Sequence, residues 1–182
     1  MVKVSEIHYI LHLTYDLDIR PEETVRLIDN TINFCQRNCR DSSKLFILEV
    51  NSFSHFAVPD HSRFSKILLE YYRQNKRIIG DLSQCCTNLI IGQTAEESIR
   101  GFESGESELD KMLSEKGLEL DLSSLLIVAH GMYEEGCVNG TLYRFAKKIK
   151  ERYGKNVSYR INDETTLKAP KPQLTKSFLN RI

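Results

Sequence analysis

Four short apolar runs, each followed by a stretch with helical spacing, limit the possible folds of this chain more than any other feature. KLFILEV (44–50), TNLIIG (87–92) and SSLLIVA (123–129) are almost continuously apolar, the pattern of strands covered on both faces. The first run, IHYILHLTYDLDI (7–19), alternates instead, with Ile7, Tyr9, Leu11, Leu13, Tyr15 and Leu17 on one face. That is the period-two signature of a strand. A weaker fifth strand is predicted over NVSYRI (156–161).

The intervening segments carry helical periodicity. Val25, Ile28, Ile32 and Cys35 mark the first helix, and Pro21 with Glu22 and Glu23 suits its first turn. Phe64, Ile67, Leu68, Tyr71 and Tyr72 mark a second, capped by Asp60 or Ser62. Thr94 and Glu97 fit a capping box that opens a third helix near Ala95. Gly101 and Gly105 weaken it, and a restart past Ser104 buries Leu109, Met112 and Leu113. Leu142, Phe145, Ile149 and Tyr153 mark a fourth, with Gly154 placed to end it.

This alternation predicts an α/β fold with a mainly parallel, roughly five-stranded sheet and helices on both faces. The expected form is a three-layer sandwich, Rossmann-like or flavodoxin-like. Residues 1–167 are expected to form a single α/β domain. Residues 168–182, with Pro170 and Pro172, are expected to form an extended basic C-terminal tail.

Global charge is balanced, with 25 basic and 25 acidic residues, so nothing overall favours nucleic acid or an anionic membrane. Charge is uneven along the chain. Residues 94–121 hold nine acidic and three basic side chains, a net of −6; residues 144–182 hold eleven basic and three acidic, a net of +8. Solvated helix faces explain most such patterning, and an acidic protein partner for the basic segment is the alternative. The basic patch has no interleaved aromatics of a nucleic-acid motif. The N-terminus lacks the apolar core of a signal peptide, and no run is long enough to span a bilayer. Five cysteines, an odd number, then suggest free thiols and a cytoplasmic location. Cys35 and Cys39 lie one helical turn apart, yet no second cluster has zinc-like spacing. His8 and His12, four strand residues apart, would be separated by about 13 Å, too far to share an ion.

In parallel sheets of this kind, ligands bind beyond the carboxyl ends of the strands, near a topological switch point. The strand ends supply Asp16, Asn51, Ser52, Gly92, Thr94, His130, Gly131 and Asp163. Among them His130 is the only imidazole and the only group that titrates near neutral pH. It is the expected acid/base, with Gly131 letting a ligand or another backbone approach. Cys137, seven residues on, is the expected nucleophile if the two side chains face each other. The others are expected ligand contacts, with Asp16 or Asp163 orienting the ring. The function expected is a hydrolase or transferase acting on a small polar molecule. The alternative is a non-catalytic ligand- or protein-binding module that uses the fourth helix and the tail. Which cofactor, if one is used, the sequence does not identify.

The sixteen residues LLIVAHGMYEEGCVNG (125–140) resemble the His-Gly strand of caspase-like cysteine peptidases. There the nucleophilic cysteine ends the next strand, and here no cysteine follows Cys137. Read on through TLYRFAKKIKERYGKNVSYRI, the segment is also similar to the opening of small tetrapyrrole chelatases, whose histidine binds metal. In those enzymes the motif comes first; in this chain it comes last.

Overall fold

A computed structural model describes residues 1–14, 17, 19–49, 61–92, 108–132 and 137–169. In chain order the elements are β1 (Val2–Val4), β2 (Glu6–Leu11), α1 (Pro21–Asn38), β3 (Lys44–Glu49), α2 (His61–Cys85), β4 (Leu89–Gly92), α3 (Glu108–Glu115), β5 (Leu118–Leu120), β6 (Leu126–Met132), α4 (Asn139–Tyr153) and β7 (Ser158–Leu167). Five strands form one sheet in the order β4-β3-β2-β6-β7, and every pairing in it is parallel. Numbered along the chain, those five strands lie 3-2-1-4-5. That is the Rossmann-like order rather than the flavodoxin-like one.

The two faces of the sheet feed separate apolar clusters. Ile7, Tyr9, Leu45, Ile47 and Ile127 join Leu109 and Leu113 of α3 and Leu142 and Phe145 of α4. Ile10, Phe46, Leu48 and Met132 join Ile28 and Ile32 of α1 and Ile78 and Leu82 of α2. The central strands bury both faces, which is why β3 and β6 are apolar without alternation. Pro21 is the first residue of α1, and Gly154 ends α4 in the left-handed conformation at φ 67°.

Several elements differ from the sequence expectation. Strand β2 stops at Leu11 instead of continuing to residue 19, because His12 turns left-handed at φ 54°. The kink reverses the alternation, so Leu13 packs into the cluster opposite Leu11. Tyr72 is 55% exposed, while Ile78 and Leu82 carry the buried face of α2 further along. Helix α2 begins at His61, so Ser62 lies inside it rather than at its cap. Strand β7 is longer than predicted and runs to Leu167. A small parallel pair, β1 with β5, was not anticipated. The predicted helix start at Thr94, with Gly101 and Gly105, lies outside the described residues, as do Asp60 and the tail from Pro170.

Candidate functional site

His130 lies inside β6, two residues before the strand ends, and its side chain is fully buried. Alternation sends it to the same face as Ile10, Phe46 and Met132. There Phe34 of α1 covers it at a ring-centroid distance of 4.9 Å. An imidazole in such a layer needs hydrogen bonds for both nitrogens, since an unmet buried polar group costs about 1–3 kcal/mol. Both are met. Nε2 lies 3.1 Å from Nδ1 of His8 on the neighbouring strand, and Nδ1 lies 2.6 Å from the Thr165 hydroxyl. His8 Nε2 lies 3.1 Å from the Glu6 carboxylate, which Lys44 approaches at 3.4 Å.

The carboxylate end of this chain sets the proton positions. Glu6 accepts from His8 Nε2–H. His8 Nδ1 then accepts from His130 Nε2–H, and His130 Nδ1 accepts from the Thr165 hydroxyl. Both imidazoles are neutral. Burial lowers His8 to about 4, against the opposing pull of Glu6. Burial, then His8 and Arg160, holds His130 well below the usual imidazole range.

Thr165 reaches His130 through an irregularity in β7. Ala129 pairs with Ile161 and Gly131 with Thr166, so two steps on β6 face five on β7. The extra residues fold Thr165 inward, where it is 1% exposed, while Asp163 and Glu164 stay exposed. Asn162 Oδ1 accepts from the Glu164 amide and stabilises the turn.

At the carboxyl edge of the sheet the winding changes direction between β2 and β6, and α1 and α4 lie on opposite faces. A crevice is expected at such a switch point. His12 is the first residue past β2, and its side chain is 20% exposed. Its Nε2 lies 3.8 Å from Oε1 of Glu49, the last residue of β3, whose side chain is only 5% exposed. That is an ion-pair distance. A left-handed histidine costs about 1–2 kcal/mol of backbone energy, and such residues cluster at functional sites.

The structure distributes the sequence-predicted residues unevenly. His130 is sealed beneath α1, whereas Cys137 is exposed, so the two do not form a nucleophile–base pair. Metal ligation by His130 would displace His8 or Thr165 from a ring nitrogen. Gly131 is at φ 123°, and a Cβ there would lie 1.7 Å from the Leu11 carbonyl oxygen. Its missing side chain therefore serves the close approach of β2. Asp163 sits in the β7 irregularity rather than at a strand tip. Gly92 ends β4 at the carboxyl edge. Asp16, Asn51, Ser52 and Thr94 lie outside the described residues.

Sequence reading missed His12, Glu49, His8 and Thr165. Aspartate at 16 and 18, a residue type that favours turns over strands, is the sequence signal against β2 extending to residue 19, and a shorter strand puts His12 at its tip. No protein-family model matches the chain, and no curated protein matches it either.

Proposed function

We propose that the protein binds a small polar ligand at the carboxyl edge of the sheet, over the tips of β2 and β3 and beside the switch point between β2 and β6. Acid–base chemistry of a hydrolase or transferase type is carried by His12 with Glu49 behind it. The observation that carries this reading is the paired imidazole and carboxylate at the tips of two adjacent strands, with the imidazole partly open to solvent. A buried carboxylate next to an imidazole orients the ring and stabilises its charged form. Gly92 ends β4 at this edge, and Asp16, Asn51, Ser52 and Thr94 follow in sequence the strands that end there; these residues are the proposed ligand contacts, with Cys137 two residues before α4. His130 then acts as a positioning residue that locks β2, β6 and β7 beneath the site. Free thiols fit a cytoplasmic setting.

A thermal-shift screen with nucleotides, small anions and divalent metals tests this reading. A ligand that stabilises the wild type and is lost in His12→Gln and Glu49→Gln supports it. Stabilisation that survives both substitutions removes it.

A second reading, a binding module without turnover, rests on a groove of about 490 Å³ between α4 and β7. Tyr143, Lys147, Lys150, Val157 and Tyr159 line it, and both tyrosines are about half exposed. An acidic partner segment matches its lysines. Glu151 lies within 4 Å of Lys147 and Lys148, and Asp110 pairs with Arg152, so part of the helix charge is already balanced. A salt-sensitive pull-down that loses its partner in Lys147→Glu, or on deletion of residues 168–182, favours this reading.

A further inference from the structure

At the amino edge of the sheet, away from the His12 rim, four of the five cysteines come together. Cys35 and Cys39 stand one turn apart at the end of α1; Cys85 is the last residue of α2, and Cys86 follows it. The Sγ atoms of Cys39, Cys85 and Cys86 all lie within 4.8 Å of one another, and those of Cys85 and Cys86 are 3.6 Å apart. All are free thiols. The geometry points to a soft-metal site in which Cys39, Cys85 and Cys86 hold one thiophilic d¹⁰ cation of the Zn²⁺ type.

Three physical features support the assignment. Tetrahedral zinc with Zn–S bonds of about 2.3 Å sets its sulfurs about 3.8 Å apart, so the trio needs only slight closure. A disulfide uses two sulfurs and leaves the third idle, whereas a cation uses all three. The site also sits where two helices end. The Cys39 amide donates to the Cys35 carbonyl and the Cys86 amide to the Leu82 carbonyl, and both helix C-termini carry partial negative charge. These helix ends supply rigid placement of Cys39 and Cys86 and not favourable charge, because three thiolates with one divalent cation leave a net −1 beside negative helix ends. A bound cation displaces one proton from each of its three sulfurs to solvent. Cys39 and Cys86 are buried while Cys85 is only partly so, which leaves an entry path and an open fourth position.

The test titrates the reduced full-length protein with Co²⁺ and then displaces it with Zn²⁺. One ion per chain with a sulfur-to-cobalt charge-transfer band is expected, absent from Cys39→Ser, Cys85→Ser and Cys86→Ser and retained in Cys137→Ser. Because a buried serine can unfold the protein, a second measurement uses the wild type alone. Zn²⁺ should protect residues 39, 85 and 86 from alkylation while Cys137 still reacts. No band, a band that persists in all three variants, or equal alkylation with and without Zn²⁺ overturns the assignment. A disulfide among residues 39, 85 and 86 that forms in place of metal uptake does so too.

Discussion

Nδ1 of His8 and Nε2 of His130 lie 3.1 Å apart across adjacent parallel strands, in a layer otherwise built from Ile10, Phe46, Met132 and the Phe34 ring. With Glu6 at one end and Thr165 at the other, they form a polar line through the sheet that joins β2, β6 and β7. Satisfied buried networks of this kind rigidify a core, and partly satisfied ones weaken it.

Replacing His130 with alanine removes one partner from each of His8 and Thr165 and leaves a void under α1. A loss of about 2–4 kcal/mol is expected in urea denaturation. A double-mutant cycle of His8→Ala with His130→Ala should show coupling above about 0.5 kcal/mol. Additive losses would mean that the two rings act separately.

Stability should fall in mild acid. The folded pKa of His8, about 4, lies below the free imidazole value of about 6.5, so the unfolded chain binds the proton first. The contribution of His8 is complete above about pH 6.5, shrinks as pH falls, and is gone below about pH 4. It amounts to about 3 kcal/mol. His130 adds a loss in the same direction. The diagnostic window is about pH 5 to 6.5, above the range of ordinary carboxylates. Denaturation across that window should slope for the wild type, less steeply in His8→Gln, and flatten only when His130 is replaced as well. An equal slope throughout would assign it to other groups.

Thr165→Val keeps the shape and removes the hydroxyl that donates to His130 Nδ1. The expected cost is about 1–3 kcal/mol, with amide hydrogen exchange rising first in β7. An unchanged exchange pattern would show that β7 is held by its backbone pairing alone.

Two glycines with positive φ should respond differently to alanine. At Gly131 a Cβ meets the Leu11 carbonyl at 1.7 Å, whereas at Gly154 nothing lies within 4 Å. Gly154→Ala should cost about 1–2 kcal/mol from backbone strain alone. Gly131→Ala should break the β2–β6 pairing and yield little folded protein. Comparable melting temperatures for the two variants would refute the close approach.

The helices and buried strands were legible because burial imposes its own period. KLFILEV, LIIG and LLIVA fell where strands form, and Pro21 and Gly154 bounded helices as their backbone chemistry requires. Strand order was not legible, since apolar runs carry no record of which neighbour they pair with. His130 was misplaced because its strand continues two residues past it, a tertiary outcome of pairing with Leu11 and Thr166. Thr165 was hidden for a related reason: only the register mismatch of β7 against β6 turns it inward. Of the thiol group, the pair at 35 and 39 was visible at helical spacing. Its convergence with residues 85 and 86 depends on two helices ending side by side.

The register mismatch in β7 has an effect beyond the placement of Thr165. The outer strand of a sheet offers unpaired amides and carbonyls that can recruit another molecule. Here one flank is only Leu89–Gly92, and the other is interrupted midway by three surplus residues with an acidic pair, Asp163 and Glu164, facing outward. The insertion that delivers a hydroxyl to an imidazole also shortens the run of regular edge backbone open to pairing with another chain.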